Sequence, residues 1–574
     1  MNNYKKIYTE WVNSPYIDAD SKNELLAIAD NDAEIKSRFW APLEFGTAGL
    51  RGLMKTGVGC MNNYTVMQCT QALADSIDVN DKERGIVITY DTRLNSDNFA
   101  KLSACVLAAN DIPVYLFDAA RPTPELSFAI LHLNCIAGIN ITASHNPNMY
   151  NGYKVFANDG AQLSIEAANK ISQIRSKTDI FTGAKKVPFD EAVRNGKIKL
   201  IGYELDEVYL QKLLDARICP NVVNECSDSL EVVYTPLHGT GHWLVPEILK
   251  RSGIKKLHLV PSQMVLDGSF PTTKLPNPEF VEAFTDAISL AQEVGSNLII
   301  GTDPDADRMG ILVRSKNGEI KRITGNQAGA ILLYYIINIK KEMGTLADNS
   351  YAVKTIVSTD LADEICKKNG VEVINVFTGF KYIGEQINLK KEIGNTNFLL
   401  GFEESYGYLS GLHARDKDAV VASMLIVEAA AYFHKKGKTL YDVLQDIFNE
   451  YGIYRETTEN LAISDPDFLA IMANKMNSAR NNPPKTLGGT NVLKIRDYKL
   501  DTITDIQNGT VVPTGLPKSD VLYYELEDKS ALIIRPSGTE PKIKLYIKLT
   551  AESESEIDKK LPIYKEALCK LLGE

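Results

Sequence analysis

The sequence predicts an α/β protein with three tandem α/β domains, built on mixed, largely parallel sheets, followed by a C-terminal α+β domain. The chain has 574 residues, which is too long for one hydrophobic core and suggests about three to five domains. Apolar strand patterns alternate with amphipathic helix patterns in three successive rounds, as expected where crossover helices join parallel strands. After about residue 447 the pattern changes to shorter strands and turns.

The composition favours an ordinary globular protein and excludes several other classes. Hydrophobic residues make up 44% of the chain, and the mean hydropathy is −0.15. The formal net charge of −10 argues against nonspecific nucleic-acid binding, which requires a basic surface. The eight cysteines are scattered without a CxxC pair, so neither a zinc ribbon nor a disulfide scaffold is predicted. We find no signal-peptide pattern and no membrane-spanning apolar run, and therefore expect a cytoplasmic protein without membrane or nucleic-acid partners.

The N-terminal region precedes the first α/β round. Its first forty residues are polar, with alternating charges, and we expect helices that pack on the first domain. In FGTAGLRG, residues 45–52, three glycines surround Arg51, which suits a loop where the backbone approaches a ligand. The stretch matches neither a GxxxxGK[ST] nor a GxGxxG pattern, so a simple turn is the alternative.

The first round predicts strands at 86–90, 114–117 and 137–141, with helices at 96–109 and 123–133. Asp91-Thr92-Arg93 closes its first strand and is either a helix-capping turn or a ligand contact. The third strand leads into TASHNP, residues 142–147. Ser144 beside His145 at a strand's carboxyl end is a plausible nucleophile, although a structural turn with an exposed serine is the alternative. Asn151-Gly152 predicts a turn that returns Lys154 over the same pocket.

The second round ends in a candidate metal site. Strands are predicted at 230–234, 257–260 and 297–300, and helices at 244–251 and 279–294. The last strand opens into GTDPDADR, where Asp303, Asp305 and Asp307 can converge on one hard cation. An EF-hand is excluded, because its sixth-position glycine would be Arg308 and its twelfth-position glutamate Arg314. A solvated acidic turn remains the alternative, but like-charge repulsion disfavours it without a cation.

The third round ends in a candidate sugar-binding loop. Helices are predicted at 327–342 and 361–368, and strands at 352–357, 371–376 and 398–400. TGFK, residues 378–381, follows the second of these strands, and GFEESYG, residues 401–407, follows the third. The carboxylate of Glu403 and the hydroxyl of Ser405 suit paired hydrogen bonds to a vicinal diol. Taken alone, the pair is equally typical of a surface loop.

The last segment contains a hairpin-like stretch, LIIRPSGTEPKIK at 532–544, and ends in an amphipathic helix. Arg535, Ser537 and Thr539 around Gly538 offer a guanidinium fork, two hydroxyls and backbone N–H groups. That combination suits a dianionic phosphate, with a turn between strands as the alternative. We therefore divide the chain into domains at 1–205, 206–322, 323–447 and 448–574, whose strand-end loops line one site.

A nucleophile, a cation loop, a diol-binding loop and a phosphate-binding loop together indicate phosphoryl transfer to or from a phosphosugar. Here the sequence resembles the α-D-phosphohexomutases, the phosphoglucomutase/phosphomannomutase superfamily. TASHNP, GTDPDADR, GFEES and RPSGTEPK match its signature loops in order and spacing. FGTAGLRG, YDTRLNS and DGSFPTTKLPNPE resemble further family stretches, and GFEESYGY with TGFKYIGE is most similar to the phosphoglucomutase/phosphopentomutase branch. One position differs from the family pattern: Phe402 stands where many relatives have a second glycine before the glutamate of this loop.

The resemblance implies a central cleft between four domains, in a monomer or homodimer, and a role for each candidate residue. Ser144 would carry a phosphoryl group and share Mg²⁺ with Asp303, Asp305 and Asp307. Lys154 and Arg51 would serve in proton transfer or charge stabilisation, and His145 is a further candidate catalytic residue. The residues that would bind the substrate, including its sugar hydroxyls and its second phosphate, are Thr47, Arg308, Lys381, Glu403, Ser405, Arg535, Ser537, Gly538 and Thr539.

The activity implied is an intramolecular phosphotransfer that interconverts glucose 1-phosphate and glucose 6-phosphate. It would proceed through a phosphoserine enzyme and glucose 1,6-bisphosphate, which is also the expected activator. The bisphosphate would turn end over end, so a phosphate clamp on a mobile fourth domain fits closure around it. Mannose or pentose phosphates are alternative substrates. A metal-dependent sugar phosphatase and a sugar-binding regulatory protein, which would not need Ser144, are the alternative classes.

Overall fold

Four main sheets follow one another along residues 3–46, 49–465, 467–537 and 541–574, the ranges that the computed structural model describes. We refer to the region around each sheet as the first to fourth domain. The first three domains are α/β layers with mixed sheets and the last is rich in antiparallel strands, which confirms the predicted fold class. No helix in these described ranges combines the length and the apolar character needed to cross a bilayer.

The first domain confirms the strands and helices predicted between residues 86 and 141. Its helices are α1 (Asn3–Asn13), α2 (Ala19–Leu26), α3 (Asp32–Phe39), α4 (Asn63–Ser76), α5 (Ser96–Ala109), α6 (Thr123–His132), α7 (Ile165–Arg175) and α8 (Phe189–Arg194). Its strands are β1 (Leu50–Leu53), β2 (Ile86–Tyr90), β3 (Val114–Phe117), β4 (Ala137–Ile141), β5 (Tyr150–Ala157) and β6 (Ile198–Ile201). The sheet order is β1-β5-β4-β2-β3-β6, with β4, β2, β3 and β6 parallel and β5 and β1 antiparallel.

The second domain repeats this plan on a smaller sheet. Its helices are α9 (Tyr203–Asp215), α10 (Val222–Glu225), α11 (Gly241–Arg251) and α12 (Thr285–Val294). Its strands are β7 (Glu231–Thr235), β8 (Lys256–Leu259), β9 (Leu298–Thr302), β10 (Met309–Arg314) and β11 (Ile320–Ile323), in the order β11-β10-β9-β7-β8. The helix predicted at 279–294 begins instead as a 3₁₀ turn, Val281–Phe284, and becomes α-helical only at Thr285.

The third domain has strands β12 (Tyr351–Thr355), β13 (Glu372–Val376), β14 (Phe398–Glu403) and β15 (Gly407–Leu409), in the order β13-β12-β14-β15. Its helices are α13 (Gly325–Glu342), α14 (Leu361–Lys368), α15 (Phe380–Glu392), α16 (Ala419–Lys435) and α17 (Leu440–Tyr451). Thr324 and Gln327 form a capping box that starts α13, and Asp418 caps α16 by accepting two backbone N–H groups. Because α16 is apolar nearly all round, it is buried between the second and third domains.

The fourth domain is a long antiparallel sheet flanked by two helices, α18 (Phe468–Asn481) and α19 (Glu554–Leu571). Its strands are β16 (Ile453–Ala462), β17 (Thr486–Leu487), β18 (Thr490–Asp497), β19 (Thr502–Asp505), β20 (Val511–Val512), β21 (Leu522–Leu526), β22 (Ala531–Pro536) and β23 (Lys542–Ala551). Strands β22 and β23 pair antiparallel, which confirms the predicted hairpin.

The fourth domain rests on the third through a small apolar cluster and one buried ammonium group. Ile356 and Phe377 of the third domain pack with Tyr523, Ile533 and other residues of the fourth-domain sheet. Beside them, Lys548 on β23 donates hydrogen bonds to Asp360 Oδ1 at 2.5 Å and to the Ile356 carbonyl at 3.2 Å. A second contact lies at the start of β16, where Tyr454 belongs to the large core that joins the first three domains.

Candidate active site

Ser144 lies in the loop that joins β4 to the antiparallel strand β5. It is buried and adopts a left-handed conformation with φ of 53°, which is rare for a serine and is often found at functional sites. Its backbone N–H donates to the Thr142 hydroxyl at 2.8 Å. Its own hydroxyl donates to Asp303 Oδ2 at 3.0 Å and lies 3.2 Å from His145 Nδ1. The predicted nucleophile therefore faces the predicted metal loop directly.

The turn predicted at Asn151-Gly152 is wrong, since both residues lie inside β5. The chain reverses earlier, between β4 and β5, and the Asn151 amide is buried where it donates to the Leu94 carbonyl and the Ser96 hydroxyl. Gly152 is required for a different reason. A Cβ there would lie 2.4 Å from the Thr142 carbonyl oxygen, so only glycine lets the strand pass this close to the serine loop.

Asp303, Asp305 and Asp307 converge in the loop between β9 and β10. They are buried, and one carboxylate oxygen of each lies within 4.8 Å of the others. Two lysines partly balance them: Lys154 on β5 lies 2.9 Å from Asp305 Oδ2, and Lys417 lies 2.9 Å from Asp307 Oδ2. Oδ1 of Asp305 and of Asp307 accept no hydrogen bond from any described residue. An all-oxygen set with buried, unsatisfied atoms fits a hard cation such as Mg²⁺.

The pKa values of Asp303 and Asp305 are shifted in opposite directions by their surroundings. Burial, together with repulsion from Asp307 and Asp305, raises the pKa of Asp303 well above its usual range. Burial alone would also raise the pKa of Asp305, but the Lys154 ammonium beside it holds that pKa low. Asp303 has no lysine beside it among the described residues; its Oδ1 accepts the backbone N–H groups of Asp307 and Arg308, and its Oδ2 accepts the Ser144 hydroxyl.

The environment of the His145 imidazole favours its neutral form. Burial lowers its pKa well below the ordinary value, and the positive charges of Arg308 and Arg51 lower it further. A neutral imidazole whose Nδ1 lies at the Ser144 hydroxyl can accept a proton from that group. Arg51 itself, on β1, donates to the Asn146 side chain at 3.1 Å and so lies at the edge of the serine loop.

The candidate sugar loop meets the metal loop at the boundary of the second and third domains. Arg308 forms a β-bridge with Gly407, which directly follows the GFEESY turn. Glu403 ends β14 and accepts the Gly379 N–H at 2.9 Å, which brings the TGFK stretch to the same place. Burial raises the pKa of Glu403 to about 7, despite the opposing charge of Lys417. Lys381 lies in the first turn of α15, and burial lowers the pKa of its ammonium group.

Arg535 and Ser537 lie on the β22–β23 hairpin of the fourth domain. Burial raises the pKa of the adjacent Tyr546 to about 12; the negative charge of Glu404 adds to the shift, and Arg535 opposes it. Glu404 of the sugar loop and Arg535 of the hairpin thus both lie close enough to Tyr546 to shift its pKa. Three further candidate residues, Thr47, Gly538 and Thr539, lie outside the described residues.

Two residues that contact the aspartate cluster were not predicted from the sequence. Lys417, which pairs with Asp307, stands in ARDKDA, a loop with no preceding strand pattern. Thr123 begins α6 in the first domain, and its hydroxyl donates to Asp305 Oδ2 at 2.9 Å while its N–H donates to the Asp305 carbonyl. In the sequence, Thr123 carries only the signature of a helix start. Its second role requires the first and second domains to touch.

Family models match most of the chain. The models described as "Phosphoglucomutase/phosphomannomutase, alpha/beta/alpha domain" I, II and III cover residues 42–180, 207–318 and 324–451. They contain the serine loop, the aspartate loop and the GFEES loop respectively. Each of the first three rounds of the sequence therefore corresponds to one family domain.

Curated relatives and solved structures agree with these models. A phosphoglucomutase of Staphylococcus aureus is 36% identical over 541 residues, covering 92% of this chain and 94% of its own. A phosphoglucomutase of Staphylococcus epidermidis is 38% identical over 520 residues, covering 90% and 93%. In fold, the chain is similar to a putative phosphomannomutase of Thermus thermophilus, with a TM-score of 0.67, 21% identity and coverage of 93% and 100%. It is similar to Paramecium parafusin, a phosphoglucomutase, with a TM-score of 0.67, 18% identity and coverage of 93% and 97%.

Proposed function

Since the chain belongs to the phosphoglucomutase/phosphomannomutase family, we propose that it interconverts glucose 1-phosphate and glucose 6-phosphate. It is an isomerase that works by phosphoryl transfer. One observation carries the proposal: the Ser144 hydroxyl lies at hydrogen-bond distance from a buried cluster of three aspartates. The relatives from both staphylococci are named phosphoglucomutases, which favours glucose over mannose or pentose.

Asp303, Asp305 and Asp307 would hold Mg²⁺ together with an oxygen of the phosphorylated Ser144. The bound cation supplies neutralisation of the charge on the transferring phosphoryl group. A solved relative, the N-acetylphosphoglucosamine mutase of Aspergillus fumigatus, is described in complex with GlcNAc-6P and magnesium, which supports this choice of metal. Lys154 and Lys417 keep the cluster from carrying three uncompensated charges when no cation is bound.

In the first half-reaction the bond between phosphorus and Ser144 Oγ breaks, and a bond from phosphorus to a sugar hydroxyl forms. The sugar hydroxyl loses its proton, and the product is glucose 1,6-bisphosphate. That proton ends on Ser144 Oγ, which is left as a free hydroxyl. In the second half-reaction the bond between phosphorus and the other sugar oxygen breaks, and that phosphoryl group returns to Ser144 Oγ. His145 Nδ1, 3.2 Å from Ser144 Oγ, accepts the hydroxyl proton, and the released sugar oxygen takes up a proton in exchange. Lys154 and Arg51 stabilise negative charge at the serine loop.

The remaining candidate residues hold the sugar and the phosphate that is not being transferred. Glu403 and Ser405 bind sugar hydroxyls, with Lys417 beside the Glu403 carboxylate. Arg308 and Lys381 bind the substrate where the second and third domains meet. Arg535, Ser537, Gly538 and Thr539 hold the distal phosphate, and we include Thr47 among the substrate ligands. The position of the β22–β23 hairpin on a separate fourth domain suits a clamp that opens for the bisphosphate to turn.

We also propose a cellular compartment and an oligomeric state for the enzyme. All eight cysteines are unpaired thiols, which suits the reducing cytoplasm. We expect a monomer or homodimer.

The test is a coupled assay of glucose 6-phosphate formation from glucose 1-phosphate, with Mg²⁺. Catalytic amounts of glucose 1,6-bisphosphate should stimulate the rate, because the bisphosphate phosphorylates Ser144. Parallel reactions contain mannose 1-phosphate or ribose 1-phosphate. A preference for either of these overturns the choice of glucose. Release of inorganic phosphate without isomerisation identifies a phosphatase and overturns the proposal.

A further inference from the structure

Arg93 follows β2 in the first domain, and its buried side chain extends into the serine loop between β4 and β5. Its Nη2 donates to the carbonyl oxygens of Ser144 and Asn146, the second at 2.5 Å. Its Nη1 donates to the carbonyl oxygens of Pro147 and Tyr150, at 2.8 and 3.1 Å. One guanidinium group thus binds four carbonyl oxygens of the loop that carries the candidate phosphoserine.

The fifth N–H of the same guanidinium, on Nε, lies 3.1 Å from Asp91 Oδ2 in a fully buried ion pair. The other oxygen of Asp91 accepts the Arg93 backbone N–H and the Ser96 hydroxyl. Four of the five guanidinium donors are therefore hydrogen-bonded to carbonyl oxygens, and Nε contributes to the ion pair without a hydrogen bond to any described residue. A lysine at this position would have three donors, without the planar fork, and would lose at least one of the four bonds to the loop carbonyls.

The second domain closes over this arrangement with the segment 267–270. The ring of Phe270 lies over the Arg93 guanidinium, 5.1 Å from its centroid to Cζ. Gly268 packs against the backbone of residues 92–94, since a Cβ on it would lie 2.5 Å from the Leu94 nitrogen. The Ser269 carbonyl accepts a hydrogen bond from the Asn148 side chain at 3.1 Å. The guanidinium is thereby enclosed between two domains.

We propose that Arg93 is a positioning residue for phosphoryl transfer, which holds Ser144 in its left-handed conformation so that Oγ points at the aspartate cluster. Arg93 touches no reacting atom in the structure; it acts through the Ser144 carbonyl and the three carbonyls that follow. Without the fork, the loop can relax from its unfavourable backbone conformation and move Oγ away from Asp303. The inference rests on the proposed function, in which Ser144 carries the phosphoryl group.

The test compares Arg93→Lys with Arg38→Lys in the full-length protein. Arg38 is a matched control: it is also a buried arginine of the first domain, but it pairs with Glu24 and Glu34 on the N-terminal helices. Intact-protein mass spectrometry follows the phosphorylation of Ser144 by glucose 1,6-bisphosphate, and steady-state kinetics give kcat and KM. We expect Arg93→Lys to lower both the phosphorylation rate and kcat about 100-fold, the effect of a misplacement on the order of 1 Å, with KM for glucose 1-phosphate unchanged. Arg38→Lys should retain the wild-type phosphorylation rate even if its melting temperature falls.

Wild-type phosphorylation rates in folded Arg93→Lys overturn the positioning role while leaving the proposed function intact. Failure of the wild type to accept phosphate on Ser144 overturns the proposed function, and the positioning role with it. If Arg93→Lys does not fold, Phe270→Leu decides the question, because it removes the ring over the guanidinium and leaves Arg93 in place. A slower phosphorylation of Ser144 in that variant supports the inference, and an unchanged rate overturns it.

Discussion

The Ser144 hydroxyl donates a hydrogen bond to Asp303 Oδ2 at 3.0 Å, although 159 positions separate the two residues in the chain. The contact crosses from the first domain to the second and aligns the candidate nucleophile with the candidate metal site. A second bond between the same domains, from the Thr123 hydroxyl to Asp305, holds the aspartate loop in place. The reactive centre thus exists only when the two domains are packed together.

Replacing Ser144 with alanine should abolish isomerisation, because no other described residue places a hydroxyl at Asp303. The wild type should carry one labile phosphate by intact-protein mass spectrometry, and the variant none. Ser164→Ala is the control: it removes the exposed cap of α7, costs about 1 kcal/mol of stability and should leave activity and phosphate content normal. Normal turnover of Ser144→Ala would show that another group carries the phosphoryl.

Mg²⁺ should raise the melting temperature of the wild type, because it neutralises three buried carboxylates and binds only the folded chain. Asp303→Asn should abolish this rise, since it removes one of the three carboxylate ligands. Asp286→Asn changes a partly exposed acid on α12 of the second domain and should keep the wild-type response. Differential scanning calorimetry with and without EDTA measures both effects. Full activity in excess EDTA would contradict the metal assignment.

Glu403 should make the stability of the substrate-free protein depend on pH. Its folded pKa of about 7 lies above the ordinary value of 4.5, because burial penalises the charged carboxylate. Its contribution to the free energy of unfolding is thus full below about pH 4.5 and falls as the pH rises through 7. The loss is about 3 kcal/mol at alkaline pH. Denaturant unfolding should show Glu403→Gln with a flatter profile across this range and greater stability than the wild type at pH 8.

Glu385→Gln is the control for this measurement, because Glu385 is an exposed acid on α15 of the same domain. Its unfolding free energy should follow the wild type at every pH. A parallel profile for Glu403→Gln and the wild type would mean that Glu403 titrates as an ordinary solvent-exposed acid.

Arg535→Ala separates a mutase from a phosphatase, because a mutase must hold a second phosphate while the first is transferred. Loss of the guanidinium fork should weaken binding of the dianion by on the order of 2–4 kcal/mol. KM for glucose 1-phosphate should rise, and labelled phosphoenzyme mixed with glucose 1-phosphate should release more free bisphosphate than the wild type. Arg455→Ala, which breaks an exposed ion pair with α19, should change neither quantity. If KM and the release of bisphosphate are both unchanged in Arg535→Ala, the hairpin is a turn that binds no phosphate.

The sequence by itself determined those features that depend on local patterns. The strands that end at Ile141, Thr302 and Glu403 are short, apolar and followed by polar loops, because the carboxyl end of a buried strand must return to solvent. The three aspartates stand at alternate positions in one loop, so their convergence follows from spacing alone. The hairpin at β22 and β23 likewise follows from two strand patterns around a Pro/Gly turn.

Only the tertiary structure decided which distant groups complete the site. Lys417 and Thr123 reach the aspartates from the third and first domains, and Arg93 binds the serine loop from a different strand end. None of them has a local pattern beyond a helix start or a turn, because their partners lie far away in the chain. The Asn151-Gly152 turn was mispredicted for the same reason, since β5 is ordered by pairing with β4 and β1. Pairing across a sheet and packing between domains outweigh a local preference for a turn. Buried polar side chains need hydrogen-bond partners, and in this site the partners come from distant parts of the chain.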